Sequence, residues 1–440
     1  MQPATMEEYY SDQIKTGIFE RFITCGNSNS KQLYIINMST YKASSSLGSD
    51  AWLGASQYEP GSEWHTRAIN FFKAVNWDAL ATIAAQRRGG ISCTVAEKFS
   101  VGHFNMARRL DFVDGVSWIA RVRFPSSAAA AAREALSEAK TMEIEVATMK
   151  FFRSKSWIPV PEVHAYRFSA HNEVGAPFIL MDYIHGNVAS ELREQRDCDD
   201  GLFGNPEQDR KFREQMARIQ ATVSSFQFPK IGSIYYNEDI DDFYIGPELQ
   251  TGRGPWTSSA EYYDDLALHL LKSTSEDSLR QRRSFMVPSI LSFMLRVYGE
   301  EKDGPFRLAN RDFGTHKIIV DDHFDIVGVI DFDGVMAAPL EVVAQYPADC
   351  SLDLQAPGGV ETLPLALERF AENLPKLEAY KEILAKCEGG AGGNVKVADR
   401  LGCTAARAYE GMVDYQSQQD FVNDKWMKSC LQMLHDQVKK

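Results

Sequence analysis

The stretch Pro305-Phe-Arg-Leu-Ala-Asn310-Arg-Asp312-Phe-Gly-Thr315-His-Lys317-Ile-Ile-Val320-Asp-Asp-His-Phe-Asp325-Ile-Val-Gly-Val-Ile330-Asp331-Phe-Asp333 decides the reading of this 440-residue chain. Ile318–Val320 and Ile326–Ile330 are two apolar runs separated by a turn of aspartates. Paired as an antiparallel hairpin, they set Lys317 opposite Ile330. Asp331 then emerges at the open end of the hairpin, beside the loop that carries Asp312. Strand geometry thus delivers two distant carboxylates to one place, where one can take a proton and the other hold a divalent cation.

Upstream, Cys93–Phe99, Met106–Phe112 and Val116–Phe124 predict three short strands, with a single-glycine turn, Ser100-Val-Gly102-His-Phe-Asn105, between the first two. Ser126 and Ser127 would cap a helix through Ala128–Ala132, continued by Met142–Phe152 until Ile158-Pro-Val-Pro161 stops it. His164–Phe168 and Phe178–Ile184 read as a further hairpin. Before the sheet, Phe71, Phe72, Val75, Leu80, Ile83 and Ala84 have helical spacing that ends at Gly89-Gly90. From Gly186 to Gly299 the pattern is mainly helical, interrupted by charged residues around Asp197–Asp200 and by an insert rich in Gly, Asp and aromatics, Ile231–Trp256. Leu363–Lys440 is again helical apart from a turn over Glu388–Asn394. The expected fold is therefore α+β and bilobal: a poorly defined extension over 1–60, a small antiparallel-sheet lobe over 61–185, and a large, mainly helical lobe over 186–440.

Composition narrows the function. The chain is 44% hydrophobic and 24% charged, which suits a globular protein with a sizeable core. A net charge of −13 lacks the basic footprint of a nucleic-acid binder. No apolar run approaches the ~18 residues of a membrane span, and the first residues do not resemble a signal peptide. Seven scattered cysteines without a C-x-x-C pair speak for free thiols and against a disulfide frame or a structural zinc site. The expectation is a cytoplasmic protein without nucleic-acid or membrane partners.

Taken in order, these motifs resemble the aminoglycoside phosphotransferase/choline kinase-like family, in particular its fungal branch, which has the protein-kinase-like fold. Its H-x-D-x-x-x-x-N pattern, hairpin and I-D-[WF] are matched by Asn310, Asp312, Lys317 and Ile330-Asp331-Phe332. Glu145-Val-Ala-Thr-Met149, Ile158-Pro-Val-Pro161 and Phe178-Ile-Leu-Met-Asp-Tyr-Ile-His-Gly186 follow the family order of helix C, strand 4 and hinge. Ile231-Gly-Ser-Ile-Tyr235 and Gly254-Pro-Trp256 also look like fungal members, and the likeness runs from about residue 65 to about 350.

The resemblance implies an ATP- and Mg2+-dependent transfer to a small-molecule hydroxyl. Asp312 would take the hydroxyl proton, and Asp331 would hold magnesium against the nucleotide phosphates. Arg121 stands where the nucleotide-binding lysine is expected, with Arg123 two residues on as a competitor. Glu145 would be its helix-C partner, favoured over Glu143 by the helix face it shares with Met149 and Phe152. Gly102 would sit over the phosphates and Met181 beside the adenine. The carbonyl of Asp182 and the amide of Ile184 would bond its edge.

Two positions depart from the pattern. Asn310 replaces a histidine that holds the catalytic loop. Lys317 replaces the magnesium-ligating asparagine, and an ammonium has no lone pair to give a metal. Lys317 would either stand in for a cation, binding nucleotide phosphates or pairing with Asp312 or Asp331, or mark a pseudokinase that binds nucleotide or a partner without transfer. A hydrolase with paired aspartates would need a second ligand cluster, which the sequence lacks. His316 and His323 read as packing or turn residues. Glu238, Asp239, Asp241 and Asp242, set among Tyr235, Tyr236 and Phe243, read either as a solvated loop or as a receptor for a cationic acceptor.

Overall fold

The computed structural model describes residues 48–125, 136–196, 198, 201–273, 287–299, 301–350, 364–389, 395–414, 432 and 435. The proposed cap at Ser126–Ser127, the alanine run Ala128–Ala132 and most of the break at Asp197–Asp200 lie outside these residues, as does all of 1–47.

The first lobe opens with helices α1 (Glu63–Ala74) and α2 (Trp77–Arg87). The sequence pattern runs through both as one helix, but Val75 is extended and the Asn76 side chain accepts from the Ala79 amide, so a new helix starts there. Strands β1 (Cys93–Val101), β2 (Asn105–Phe112) and β3 (Ser117–Arg123) follow. Next come helix α3 (Glu138–Lys155), capped by Ser137, and strands β4 (Val163–Arg167) and β5 (Phe178–Asp182). The sheet order is β1-β2-β3-β5-β4, antiparallel throughout. Its period-2 alternation separates two faces. Met106, Leu110, Phe112, Trp118, Ala120 and Val122 are buried against α1 and α2. Arg121 and Ile119 point the other way, opposite Ile179 and Met181 of β5.

The described part of the N-terminal extension is tied to this sheet rather than loosely attached. Ser49 Oγ accepts from Arg109 Nη1 at 2.6 Å and from the Tyr183 hydroxyl at 3.0 Å, and Gln57 Nε2 donates to the Val101 carbonyl at 2.8 Å. Polar side chains that look solvated in a sequence find partners more than forty residues away.

The second lobe contains β6 (Asn187–Val188), α4 (Ala189–Gln195), α5 (Pro206–Ser225), β7 (Gln227–Phe228), β8 (Gly232–Asn237) and β9 (Asp242–Gly246). After α6 (Ser259–Ser273) and α7 (Val287–Tyr298) come β10 (Phe306–Asn310), β11 (Ile318–Val320), β12 (Ile326–Val329) and β13 (Val335–Ala338), then α8 (Leu340–Val343), α9 (Pro364–Cys387) and α10 (Thr404–Asp414). The insert that interrupts the helical pattern carries the hairpin β8–β9, which joins a sheet of order β7-β10-β13-β8-β9. Gly232 lets these strands approach, since a Cβ there would lie 2.2 Å from the Gly246 carbonyl oxygen.

The hairpin that decided the reading is present: Ile318 faces Val329, and the Ile330 amide donates to the Lys317 carbonyl at 3.0 Å. Together with β6 it forms a third small sheet, β12-β11-β6. One apolar core fills the outer side of the first sheet. A second, much larger core joins α3 and the inner side of β5 to the helical lobe. The α+β, bilobal architecture is as expected. No helix among the described residues is long and apolar enough to cross a membrane.

Candidate active site

Five charged side chains from both lobes meet between the two cores. Arg121 on β3 is bonded through Nη2 to Glu145 Oε2 on α3, and its Nη1 lies 3.8 Å from Asp331 Oδ1. Lys317, at the end of a 3-10 turn (Thr315–Lys317), is bonded to Asp331 Oδ2 and lies 3.3 Å from Asp312 Oδ2. Asp331 is thus shared between a guanidinium from one lobe and an ammonium from the other. Its backbone is left-handed, with φ 65°, a conformation that costs a β-carbon-bearing residue about 1–3 kcal/mol.

The electrostatics follow from burial and partners. Glu145 is 3% exposed, and burial raises its carboxyl above the ordinary range even though Arg121 pulls it down; its Oε1 has no hydrogen-bond partner. Burial opposes the charged forms of Arg121 and Lys317, but Glu145 and Asp331, respectively, more than compensate and hold both cationic. Asp333 is pushed up to about 7 by burial and by the negative charge of Asp331.

Arg123, the competitor, lies with its guanidinium 5.1 Å from the Phe104 ring centre, and Glu143 pairs at the surface with Lys140 at 2.6 Å. Met181 is buried on β5, Asp182 ends that strand, and Ile184 follows, its side chain against Gly328 of β12. Gly102 sits in the β1–β2 turn, its amide donating to the Asn105 carbonyl at 2.8 Å. A Cβ there would meet nothing nearer than 3.6 Å, so the turn does not demand glycine. The acidic cluster at Glu238 is not part of this gathering. The Tyr166 hydroxyl donates to Glu238, and Lys150 Nζ lies 3.6 Å from it, so the β8–β9 hairpin braces β4 and α3.

Several supporting residues were not legible in the sequence. Arg311 Nη2 is 2.7 Å from Glu248 Oε1, and Glu248 is fully buried, accepting also from the amides of Gln250 and Thr251, each at 2.8 Å. Burial opposes the charge on Arg311, but Glu248 raises it far above its ordinary value. This pair anchors the loop between β10 and the 3-10 turn from behind. Asn310 Oδ1 accepts from the Asp312 amide at 3.2 Å, a loop-holding contact of its own. His316, read as a packing or turn residue, instead lies between two carboxylates, with Nε2 3.2 Å from Asp312 Oδ1 and Nδ1 3.0 Å from Asp349 Oδ2. Its spacing of four from Asp312 was the available signal; the approach of Asp349 was not.

The model of a phosphotransferase enzyme family matches residues 108–342, more than half of the chain, including Arg121, Glu145, Asp312, Lys317 and Asp331 but not Gly102 or Asp349. The chain belongs to this phosphotransferase family. A subtelomeric hrmA-associated cluster protein of Aspergillus fumigatus is 32% identical over 164 residues, covering 35% of this chain and 29% of its own. A protein of Debaryomyces hansenii named altered inheritance of mitochondria protein 9, mitochondrial, is 34% identical over 104 residues, 24% of this chain and 16% of its own. The chain therefore spans less than a third of the length of these curated relatives. Among solved structures, a macrolide 2'-phosphotransferase type I aligns with a TM-score of 0.41 at 13% identity, over 81% of this chain and 95% of its own. An aminoglycoside phosphotransferase in ternary complex with AMP-PNP and hygromycin B gives 0.41 at 15%, over 81% and 98%.

The mitochondrial names, repeated for relatives in Meyerozyma guilliermondii and Zygosaccharomyces rouxii, overturn the expectation of a cytoplasmic protein. Free thiols point to a reducing compartment, and that criterion does not separate cytosol from an organelle interior.

For magnesium, the donor set of this chain is reduced. Lys317 replaces one ligand and occupies Asp331 Oδ2, and no group of three or more His, Cys, Asp or Glu suited to a metal occurs among the described residues. Yet Arg121 and Lys317 face the carboxylates of Asp312, Glu145, Asp331 and Asp333, which outnumber them. That excess of negative charge, with the orphaned Glu145 Oε1, fits one divalent ion completed by phosphate oxygens, and does not fit two.

Proposed function

We infer that this phosphotransferase moves the γ-phosphoryl group of ATP to the hydroxyl of a small molecule, using one magnesium ion and a lysine where relatives of the resembled family use a second metal ligand. The observation that carries this reading is Lys317 lying between Asp312 and Asp331. Asp312 would accept the acceptor's hydroxyl proton. Arg121, held by Glu145, would bind phosphate oxygens, and its bidentate reach substitutes for the usual lysine. Lys317 would neutralise charge at the transferring group. Met181, with the backbone of Asp182 and Ile184, would receive the base, and Gly102 would lie above the phosphates. Asp331 would hold the magnesium, which when bound neutralises the charge of the phosphates. On this reading 61–185 would be the nucleotide-binding lobe and 186–440 the helical lobe that carries the catalytic loop and the metal-binding hairpin. The relatives' names support a mitochondrial setting for this activity.

The same lysine supports a second reading, a pseudokinase that binds nucleotide without transfer, because it engages the carboxylate that a metal requires. ADP formation from magnesium-ATP, measured with a panel of hydroxyl-bearing acceptors, separates the two. Transfer is expected to give ADP and a new phosphate ester by phosphorus NMR, both lost in Asp312→Asn. Tight nucleotide binding with no ADP from any acceptor would support the pseudokinase.

A further inference from the structure

We propose that His316 is a positioning residue for the transfer: clamped by Asp349, it fixes the carboxylate of Asp312 so that this group meets the acceptor hydroxyl in one orientation. The inference rests on the phosphotransfer reading above and assigns a residue that reading does not use.

The clamp is built from both sides. Thr315 donates through its amide to the Ala348 carbonyl at 3.2 Å and through Oγ1 to the Asp349 carbonyl at 3.2 Å, while the Ala348 amide donates to the Phe313 carbonyl at 2.9 Å. These bonds lace the 3-10 turn to residues 348–349. They hold Asp349 in a left-handed conformation, φ 59°, which a non-glycine residue keeps only when its surroundings enforce it. Arg193 Nη1 reaches the same Asp349 carbonyl at 3.4 Å. Gly314 completes the seat, because a Cβ there would lie 2.8 Å from both Cε1 and Nδ1 of His316.

Asp312 itself is 41% exposed and would swing without these partners. With them, Oδ1 faces His316 and Oδ2 faces Lys317. Each oxygen retains a lone pair for the acceptor. His316 hydrogen-bonds Asp312 through Nε2 and keeps Nδ1 within ion-pair distance of Asp349 without a hydrogen bond's alignment, so Asp349 acts on the imidazole by charge and by the seat it shares with Thr315 and Gly314. In the transfer, the acceptor oxygen bonds to the γ-phosphorus as the bond to the bridging oxygen breaks, ADP leaves, and the hydroxyl proton passes to Asp312. His316 touches neither substrate and acts through Asp312.

The charged groups around His316 are Asp312 from the loop, Asp349 from the segment after α8, and Lys317 beside it. Helix α4, packed on the turn, adds Glu191, Arg193 and Glu194; β6 adds none. Burial opposes the imidazolium, but Asp312 and Asp349 outweigh it and raise His316 above its ordinary value. Burial likewise tends to raise Asp312, and the bond from His316, followed by Lys317, brings it below the usual range. Removing His316 therefore moves the ionisation of Asp312 to higher pH.

The test uses the full chain with magnesium-ATP and water as acceptor, comparing His316→Ala, His316→Gln and Asp349→Asn. His316→Ala is expected to lower kcat by about tenfold to a hundredfold, the usual effect of a misplaced reacting group, with ATP affinity unchanged. The acid limb of kcat should shift to higher pH. His316→Gln should restore much of the rate without restoring the limb, which a merely structural role would not produce. An unchanged kcat and limb in His316→Ala would overturn the proposal. If the wild type neither binds nor hydrolyses ATP, the phosphotransfer reading fails, and nitrogen NMR of the imidazole decides the clamp alone. A His316 midpoint above 6.5 that falls in Asp349→Asn supports the clamp, and an unperturbed midpoint contradicts it.

Discussion

Two ion pairs flank the same loop and behave oppositely. Behind it, Arg311 pairs with Glu248, which is fully buried and takes four hydrogen bonds, from Arg311, the amides of Gln250 and Thr251, and the Thr251 hydroxyl. In front, Asp331 is 29% exposed, sits on a left-handed backbone, and is divided between Lys317 and Arg121. The rear pair is satisfied and can only hold. At the front the two cations are outnumbered by the carboxylates of Asp312, Glu145, Asp331 and Asp333, so Asp331 can still accept a further cation. Saturated pairing belongs to scaffolding, and unbalanced pairing to chemistry.

Breaking the rear pair should have the largest effect on folding. Arg311→Ala leaves Glu248 buried without its counter-charge and should cost about 3–5 kcal/mol in denaturant-measured stability. A loss below about 1 kcal/mol would mean that the pair does not carry the loop. Breaking the front should instead spare folding and remove turnover. Asp312→Asn is expected to lower kcat by about 10²–10⁴-fold while ATP affinity stays within twofold by calorimetry.

The pH dependence sharpens the same contrast. Asp333, pushed up to about 7, binds a proton in the folded state that its unfolded counterpart, ordinarily near 3.8, has released. Its contribution to stability is therefore complete below the unfolded value and is lost as pH rises through about 7. Unfolding measured from pH 4 to 8 should show this decline, and Asp333→Asn should flatten it. At the small end, Gly102→Ala should change stability by less than about 0.5 kcal/mol and leave ATP affinity unaltered, since neither φ nor space requires glycine there. A large loss of ATP affinity would mean that the space over the phosphates at Gly102 must stay free of a side chain.

What the sequence made legible was local. The strands of the first sheet, the turn-linked hairpin and the Lys317–Ile330 register follow from alternation over a few residues, and they place Asp312, Lys317 and Asp331 together. Glu145 was legible because helical period separates its face from that of Glu143. The β7-β10-β13-β8-β9 sheet was not, because Met336 pairs with Ser233 across a hundred residues and its strands are short and partly alanine. The Arg311–Glu248 anchor and the Asp349 clamp escaped for the same reason: both join segments whose proximity exists only once that sheet has formed.

The most direct measurement is calorimetric titration of ATP, with and without magnesium, into the wild type and Lys317→Asn. A single-metal site bearing its own cation predicts that magnesium strengthens wild-type binding through one ion per nucleotide, and that Lys317→Asn makes binding more dependent on magnesium, by about tenfold. Binding indifferent to magnesium in the wild type, or unchanged dependence in Lys317→Asn, would contradict it.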